Sequence, residues 1–371
     1  MLPPKTSIND PQDPLALLSD LLCNKTISKE YMSDERLRSA YRSYYHEQSF
    51  YKALSLFEEM NLFSSVTNFL KQQNSIHIAD LATGTGGFIQ GILHGLPPTL
   101  HSKIRISLQD RSKSALAAAD LEIRNLYPEF TSSVTTYNGI LPDTFPPLSD
   151  VHILSWGNML NEWNLTRASS KNLLECIDRV LVSDGILLIA EPADRLSSRK
   201  LHQFSNDLLE YLPGFKILAP CPNNRREGCP ALFNEKDWCH EDRPHQFSQE
   251  LIHKAKKLGH IKDSLKMSYL ICQKMDSQSG ISEANSSKTE LIFRMISDMT
   301  HERGLSKSVF CNGHEWTNYR LLKRYKSSEN NAFFSLKKGQ MVKLIVSKEP
   351  EKKGESFNLP EGTAVQTIDP S

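Results

Sequence analysis

The sequence predicts an α/β fold, a mostly parallel sheet with helices on both faces, on two observations. From Ile76 to about Leu218, short apolar runs of strand length alternate with helical segments, the pattern of a parallel sheet wrapped by helices. The composition, 39% hydrophobic and 23% charged over 371 residues, is that of a globular chain long enough for two domains or one large domain with additions.

Residues 1–72 form a helical N-terminal region. Leu15, Leu17, Leu18, Leu21 and Leu22 open its periodic part, and apolar residues recur at three and four from Tyr51 to Leu70, as a helix buried on one face requires. Between them RLRSAYRSYYHEQSFYKA mixes Arg36, Arg38 and Arg42 with tyrosines. Residues 73–275 hold the sheet, with strands expected at 76–81, 104–108, 134–137, 151–155, 185–190 and 267–273. Helices are expected at 87–96, 112–126 and 169–182. A cysteine-rich insertion, 219–245, precedes the last strand. The stretch from about 275 to 300 is Ser-rich, then helical or mixed. A small β-rich module is expected over 276–348, and a disordered tail over 349–371, rich in Lys, Glu, Gly and Pro.

The run IHIADLATGTGGFIQGIL sets Asp80 at the end of a strand, then Gly84, Gly86 and Gly87 before a helix. Glycine suits a sharp turn that a ligand approaches closely. The spacing is not the G-x-G-x-x-G of dinucleotide sites; acidic-x-x-x-G-x-G resembles the first motif of class I S-adenosylmethionine (SAM) methyltransferases, with Ala82 and Thr83 in place of the first Gly and its neighbour. The resemblance implies a Rossmann-like class I sheet in which Ala82, Thr83, Gly84 and Gly86 hold the methionine part of SAM. Asp80 would anchor its ammonium, Asp110 would accept from the ribose, and Asn138 would lie near the adenine.

Catalysis is less legible. The fourth strand runs into SWGNMLNEW and lacks the [DN]-P-P-[YF] loop of enzymes that methylate exocyclic amines. Pro220-Cys221 belongs to the cysteine segment rather than to a cytosine-methylating nucleophile loop. Asn161 and Glu162 are the candidates beside the transferred methyl, with Glu162 either a general base or a brace. Glu191 carries the same ambiguity. Positioning an acceptor beside a sulfonium requires no dedicated base.

Cys221, Cys229 and Cys239 are separated by seven and nine residues, and Cys311 lies far downstream. Cys221 and Cys229 are each followed by proline, which stiffens the turn. This pattern suits an inorganic centre rather than disulfides. Four thiolates hold either zinc or an iron–sulfur cluster; the long unequal gaps and the absence of C-x-x-C pairs lean toward [4Fe–4S], with zinc the alternative. Cys23, Cys176 and Cys272 read as core. CP…CP…DWCH, followed by LKMSYL and an isolated Cys311, resembles the methyltransferase-like small-ribosomal-subunit assembly proteins, known from mitochondria with bacterial relatives. The likeness spans residues 35–345. It implies a SAM-methyltransferase fold with a four-cysteine iron–sulfur cluster, ligands Cys221, Cys229, Cys239 and Cys311, binding small-subunit rRNA during assembly. The loop holding Asn223, Asn224, Arg225 and Arg226 is longer than that pattern.

A net charge of +1 gives no global attraction to nucleic acid, but local runs do. Arg225 and Arg226, then Lys254, Lys256, Lys257, Lys262 and Lys266, and Arg320, Lys323, Arg324 and Lys326 would form a phosphate-binding face if folding gathers them. No apolar run approaches the ~20 residues of a membrane span, and MLPPKTSINDPQDP lacks signal or transit character. The expectation is a cytoplasmic monomer, or a mitochondrial one if the source is eukaryotic. Its function would be as an rRNA methyltransferase, a non-catalytic assembly factor using SAM structurally, or a small-molecule methyltransferase with structural zinc.

Overall fold

The computed structural model describes residues 13–24, 31–163, 166–221, 228–275 and 290–368. Helices α1 (Pro14–Asn24), α2 (Glu35–Tyr41), α3 (Glu47–Met60) and α4 (Ser64–Gln72) precede the first strand. Asp34 caps α2 by accepting from the amides of Arg36 and Leu37, a use of the short carboxylate that satisfies otherwise orphaned donors. Residues Arg42–His46 between α2 and α3 form a π-helical turn. Such turns interrupt the regular ladder and re-aim side chains, often near sites.

The first sheet follows with β1 (Ile76–Leu81), α5 (Gly87–Gly95), β2 (Ile104–Asp110), α6 (Lys113–Leu126), β3 (Val134–Asn138), β4 (Val151–Gly157), α7 (Arg167–Val180), β5 (Leu181–Pro192) and α8 (Arg195–Tyr211). It is completed by β6 (Phe215–Ala219), β7 (Glu241–Pro244), α9 (Gln249–Lys257) and β8 (Ser264–Lys274). The strand order is β3-β2-β1-β4-β5-β8-β6, with β7 on the edge of β8. Strands β1 to β5 are parallel neighbours, and β8 runs antiparallel between β5 and β6. This is the Rossmann-like sheet of class I SAM methyltransferases, as the sequence predicts. All of β1 is buried, because helices cover both faces and leave no solvent side for polar alternation. One core layer includes Ile78, Ile106, Leu188 and Phe57; the opposite layer includes Leu154, Trp156, Leu187 and Phe204.

The order reverses at β1, with β2 on one side and β4 on the other. The loops leaving the carboxyl ends of β1 and β4 therefore diverge and open a crevice, the usual ligand position in open α/β sheets.

A second, largely antiparallel sheet contains β9 (Glu290–Met295), β10 (Thr300–Glu302), β11 (Leu305–Cys311), β12 (Trp316–Leu322), β13 (Met341–Ile345), β14 (Glu351–Lys353), β15 (Ser356–Asn358) and β16 (Ala364–Ile368). Two expectations need correction. The expected disordered tail carries β14, β15 and β16: β16 pairs with β13 from Met341–Ile368 to Ile345–Ala364, and Val365 enters the core around Phe293 and Leu344. Residues 290–295, expected to be helical or mixed, are strand β9, because their alternate residues Phe293 and Met295 face that core. The Ser-rich residues 276–289, the first twelve residues and Asn223, Asn224, Arg225 and Arg226 lie outside the described residues.

Candidate functional site

The crevice is built from the glycine turn outward. Ala82, Gly84 and Gly86 all have positive φ, at 49°, 56° and 83°. Glycine adopts this conformation freely, whereas Ala82 is held there at a cost of about 1–2 kcal/mol. The turn is fixed from outside: Gln109 accepts from the Ala82 amide at 3.1 Å and donates to the Gly139 carbonyl at 2.7 Å. Asp110 receives the Gly84 amide at 2.8 Å and the Ser112 amide at 2.7 Å. His46 reaches Thr85 Oγ1 at 3.0 Å and Gln90 at 3.3 Å, tying the N-terminal helices to the turn.

Beside the turn is a small cavity of about 80 Å³, lined by Ala82, Gly84, Asp110, Ile140, Asn158 and Glu162 among others. Tyr31 and Met32 also border it. The Tyr31 hydroxyl donates to Glu162 at 3.1 Å, and Arg111 pairs with the other Glu162 oxygen at 2.7 Å. Burial raises the Glu162 carboxyl above the usual range while Arg111 pulls it back. Glu162 therefore braces the cavity wall.

Asp80 is 1% exposed. Its Oδ1 accepts from Ser155 at 2.7 Å, whereas its Oδ2 is buried with no hydrogen-bond partner among the described residues. Burial pushes its carboxyl up to about 7. Asp80 lies behind the turn and outside the lining of this cavity, to which the turn contributes Ala82 and Gly84; a buried acceptor without a donor there suits a ligand bearing an ammonium, as the methionine end of SAM does. The other predicted residues are placed less directly. Thr83 donates to the Asp80 carbonyl at 2.9 Å and so shapes the turn. Asn138 spends its amide on the Asp110 and Arg111 carbonyls at 3.0 and 2.9 Å, bracing the β2–α6 turn, and the cavity wall is made by its neighbours Gly139, Ile140 and Leu141.

Asn161 lines a second cavity, of about 470 Å³, which shares Tyr41, Asn158 and Glu162 with the first. The Asn161 side-chain oxygen is buried without a partner among the described residues. Glu191 accepts the amides of Met159, Leu160 and Asn161 at 3.0, 2.8 and 3.1 Å. It thus holds the loop after β4 in place; burial nevertheless raises it to about 7. Sequence reasoning passed over Asn158, the first residue beyond β4, which has a left-handed φ of 59° and borders both cavities. It also passed over Tyr31, Tyr41 and Lys52. The position just beyond a strand at the crevice was the available signal for Asn158; nothing local marks the others.

Of the four cysteines of the sequence pattern, Cys221, Cys229 and Cys311 all lie near enough to Cys239 for their charge to be felt there. The Cys239 thiol is pushed well above its ordinary value, first by burial and then by the neighbouring Cys229, Cys221, Glu241 and Cys311. Yet among the described residues no three of His, Cys, Asp or Glu are grouped so as to hold a metal ion. The two observations differ in reach: charge is felt over several ångströms, whereas ligation requires sulfurs within about 2.3 Å of one ion. The other three thiols are thus within charge range of Cys239, and no ligand geometry is present among the described residues. Cys272 is buried, Cys176 half-buried, and Cys23 exposed, so Cys23 is not core as expected; it lies at the rim of the second cavity.

The basic residues are dispersed in their roles. Lys254 pairs with Glu250, Lys266 with Asp242 and Asp263, and Arg320 donates to Asn358. No helix among the described residues is long and apolar enough to cross a membrane.

The profile of a family described as mitochondrial small ribosomal subunit Rsm22 matches residues 132–318, just over half of the chain. Solved structures with a similar fold include the plantazolicin methyltransferase BpumL in complex with SAH (12% identity over 71% of this chain and 99% of that one, TM-score 0.39). Another is precorrin-6y C5,15-methyltransferase from Geobacter metallireducens GS-15 (13% identity, 57% and 86%, TM-score 0.34). A third is a SAM-dependent methyltransferase from Aquifex aeolicus (14% identity, 47% and 93%, TM-score 0.31). These are likenesses of fold alone. No curated protein matches the sequence.

Proposed function

Because this chain belongs to the mitochondrial small ribosomal subunit Rsm22 family, we propose that it binds SAM at the β1 turn and acts on small-subunit rRNA. The observation that carries the SAM reading is the buried, unpartnered Asp80 Oδ2 behind the glycine turn. In this reading Asp80 takes the ammonium, the backbone of Ala82–Gly86 cradles the methionine part, and Asp110 accepts from the ribose. Asp110 already receives one backbone amide on each oxygen, and a carboxylate oxygen has a second lone pair for a ribose hydroxyl. When bound, SAM supplies an electrophilic methyl whose bond to sulfur breaks as one to the acceptor forms, the acceptor's proton passing to water. The chain's own residues orient the partners: Glu191 fixes the loop after β4, and Asn158 separates the two cavities. The family description favours the mitochondrion over the cytoplasm as the place of action.

The second reading is a non-catalytic assembly factor that uses SAM structurally. It is favoured by the engagement of Glu162 with Tyr31 and Arg111, which ties that carboxylate into the cavity wall, with the Arg111 charge lowering its basicity. Methyl incorporation from labelled SAM into naked small-subunit rRNA and into immature subunits separates the two. Transfer to either supports the enzyme; SAM retention without transfer to either supports the assembly factor; no SAM binding contradicts both.

The inorganic centre remains a proposal, with Cys221, Cys229, Cys239 and Cys311 as ligands. It is supported by their spacing and by the mutual influence of their thiols. A [4Fe–4S] cluster would give a brown anaerobic preparation containing iron and sulfide; a colourless protein with stoichiometric zinc would assign the alternative, and a metal-free folded protein would remove both.

A further inference from the structure

The second cavity holds a feature that the SAM reading does not use. Lys52, on α3, is 9% exposed and lines this space, but its ammonium has no hydrogen-bond or ion-pair partner among the described residues. The acids nearby are committed. Glu191 is held by three backbone amides, Glu162 by Tyr31 and Arg111, and Asp194 caps α8 through the amides of Leu196 and Ser197. Lys262 donates to Gln48 at 2.6 Å, and Lys266 pairs with Asp242 and Asp263. The charge facing the cavity is thus an under-compensated cation. Burial and the neighbouring Lys262 lower Lys52 to about 8, against the pull of Glu191 and Asp194, so its charge is expensive to keep without an anion.

The remaining walls are aromatic and amide. Tyr41, just before the π-helical turn, and Tyr45, within it, have ring centroids 5.2 Å apart, and Phe247 lies in the same lining. Asn158 borders both cavities, and Asn161, whose side-chain oxygen is buried without a partner among the described residues, lines this one. The volume, about 470 Å³, lies within the roughly 300–1,000 Å³ of small-ligand pockets and is too small for a duplex. Lys262 and the exposed Lys266 line the same space as Lys52, and Lys256 and Lys257 are exposed on α9; this local excess of cations suits an anionic ligand rather than a neutral small molecule.

Resting on the assignment of the first cavity to SAM, we propose that the second cavity receives a single unstacked nucleotide of an RNA strand, with Lys52 as the phosphate seat that positions it. Phosphate seats fix register, while aromatic faces accept any base and amides read its edge. Chemistry on a base requires that it leave its stack, and a pocket sharing a wall with the methyl donor is where it would go. Lys52 is thereby a positioning residue for the acceptor and plays no part in holding SAM.

The test is photo-cross-linking of the full-length protein to a single-stranded oligoribonucleotide carrying 4-thiouridine, with adducts mapped by mass spectrometry and SAM binding measured in parallel. The expected adducts fall on Tyr41, Tyr45 or Phe247. They should drop at least tenfold in Lys52→Met and recover in Lys52→Arg, with SAM affinity unchanged. Lys262→Met, at the rim, is the second variant should Lys52→Met not fold, with a smaller drop of a few-fold expected. Adducts confined to other surfaces, or undiminished in the folded variants, would overturn the proposal. So would displacement of the RNA by an equimolar free ribonucleoside monophosphate, which would indicate a small nucleotide substrate. If SAM binding is absent while Lys52-dependent adducts persist, the SAM assignment fails and the nucleotide pocket stands.

Discussion

At the scale of single residues, Asp80 is the group on which cofactor binding turns. Its carboxyl, raised to about 7 by burial, must be ionised to hold an ammonium. Below that pH the protonated form predominates, and affinity for SAM should fall by up to about tenfold per unit. Above it the carboxylate is present and this loss disappears. Calorimetric titration between pH 5.5 and 7.5 checks the slope. Asp80→Asn should flatten it and weaken binding by roughly 10–100-fold, the worth of a charge-assisted hydrogen bond of about 1.5–3 kcal/mol. A variant that binds as tightly as the parent, with the same pH slope, would remove Asp80 from the site. Asp80 was legible in the sequence because an acid at a strand end beside glycines is a pattern. Lys52 was not: in KALSLFEEM it reads as the polar side of an amphipathic helix, and only the fold turns it inward. Asn138 shows the opposite failure, since its position in the chain was right for a ligand contact while its amide serves the backbone.

At the scale of elements, α5 carries a second role for glycine that the motif concealed. A Cβ at Gly91 would come within 2.2 Å of the Phe50 carbonyl and 2.9 Å of the Ala53 Cβ, and one at Gly87 within 2.6 Å of the His46 carbonyl. The run GFIQGILHG therefore lets α3 lie directly on α5, which in turn sets the π-helical turn and Tyr41 against the crevice. Gly91→Ala should cost about 1–3 kcal/mol or more, since backbone rather than a flexible side chain must yield. Chemical denaturation measures this, and an unchanged midpoint would mean that the helices separate freely. The strands of the first sheet were legible because continuous apolar runs such as those of β1 and β4 mark strands buried on both faces. β14, β15 and β16 were not: EKK, SFN and AVQTI are short, and the strands that hold β15 and β16 in the sheet, β12 and β13, lie well upstream.

At the scale of the whole molecule, the two sheets are joined at one buried charge cluster. Arg294 of β9, 6% exposed, donates to Glu241 at 2.9 Å, to the Tyr269 hydroxyl at 2.8 Å and to the Pro220 carbonyl at 3.2 Å. Glu59 of α3 accepts from Tyr269 at 2.9 Å and pairs with Arg243. The second sheet, the cysteine insertion and the N-terminal helices thus meet at one guanidinium. Removing one partner of a buried pair leaves an uncompensated charge and costs about 3–5 kcal/mol. Arg294→Met should therefore lower the denaturation midpoint markedly. Wild-type stability in that variant would show that the sheets are held together elsewhere. The cysteine pattern pointed to convergence of residue 311 with the insertion, but no sequence signal revealed that Arg294 fastens the same junction, because a single arginine in a strand has no spacing to read.

The most direct measurement is ultraviolet cross-linking of methyl-labelled SAM to the intact protein, with the modified peptides identified by mass spectrometry. Label confined to peptides containing residues 82–86, 139–141 or 157–162, and chased by excess S-adenosylhomocysteine, is the predicted result. Saturable label elsewhere in the chain, or none at SAM concentrations that label a known methyltransferase, would contradict the placement of the methyl donor at the β1 turn.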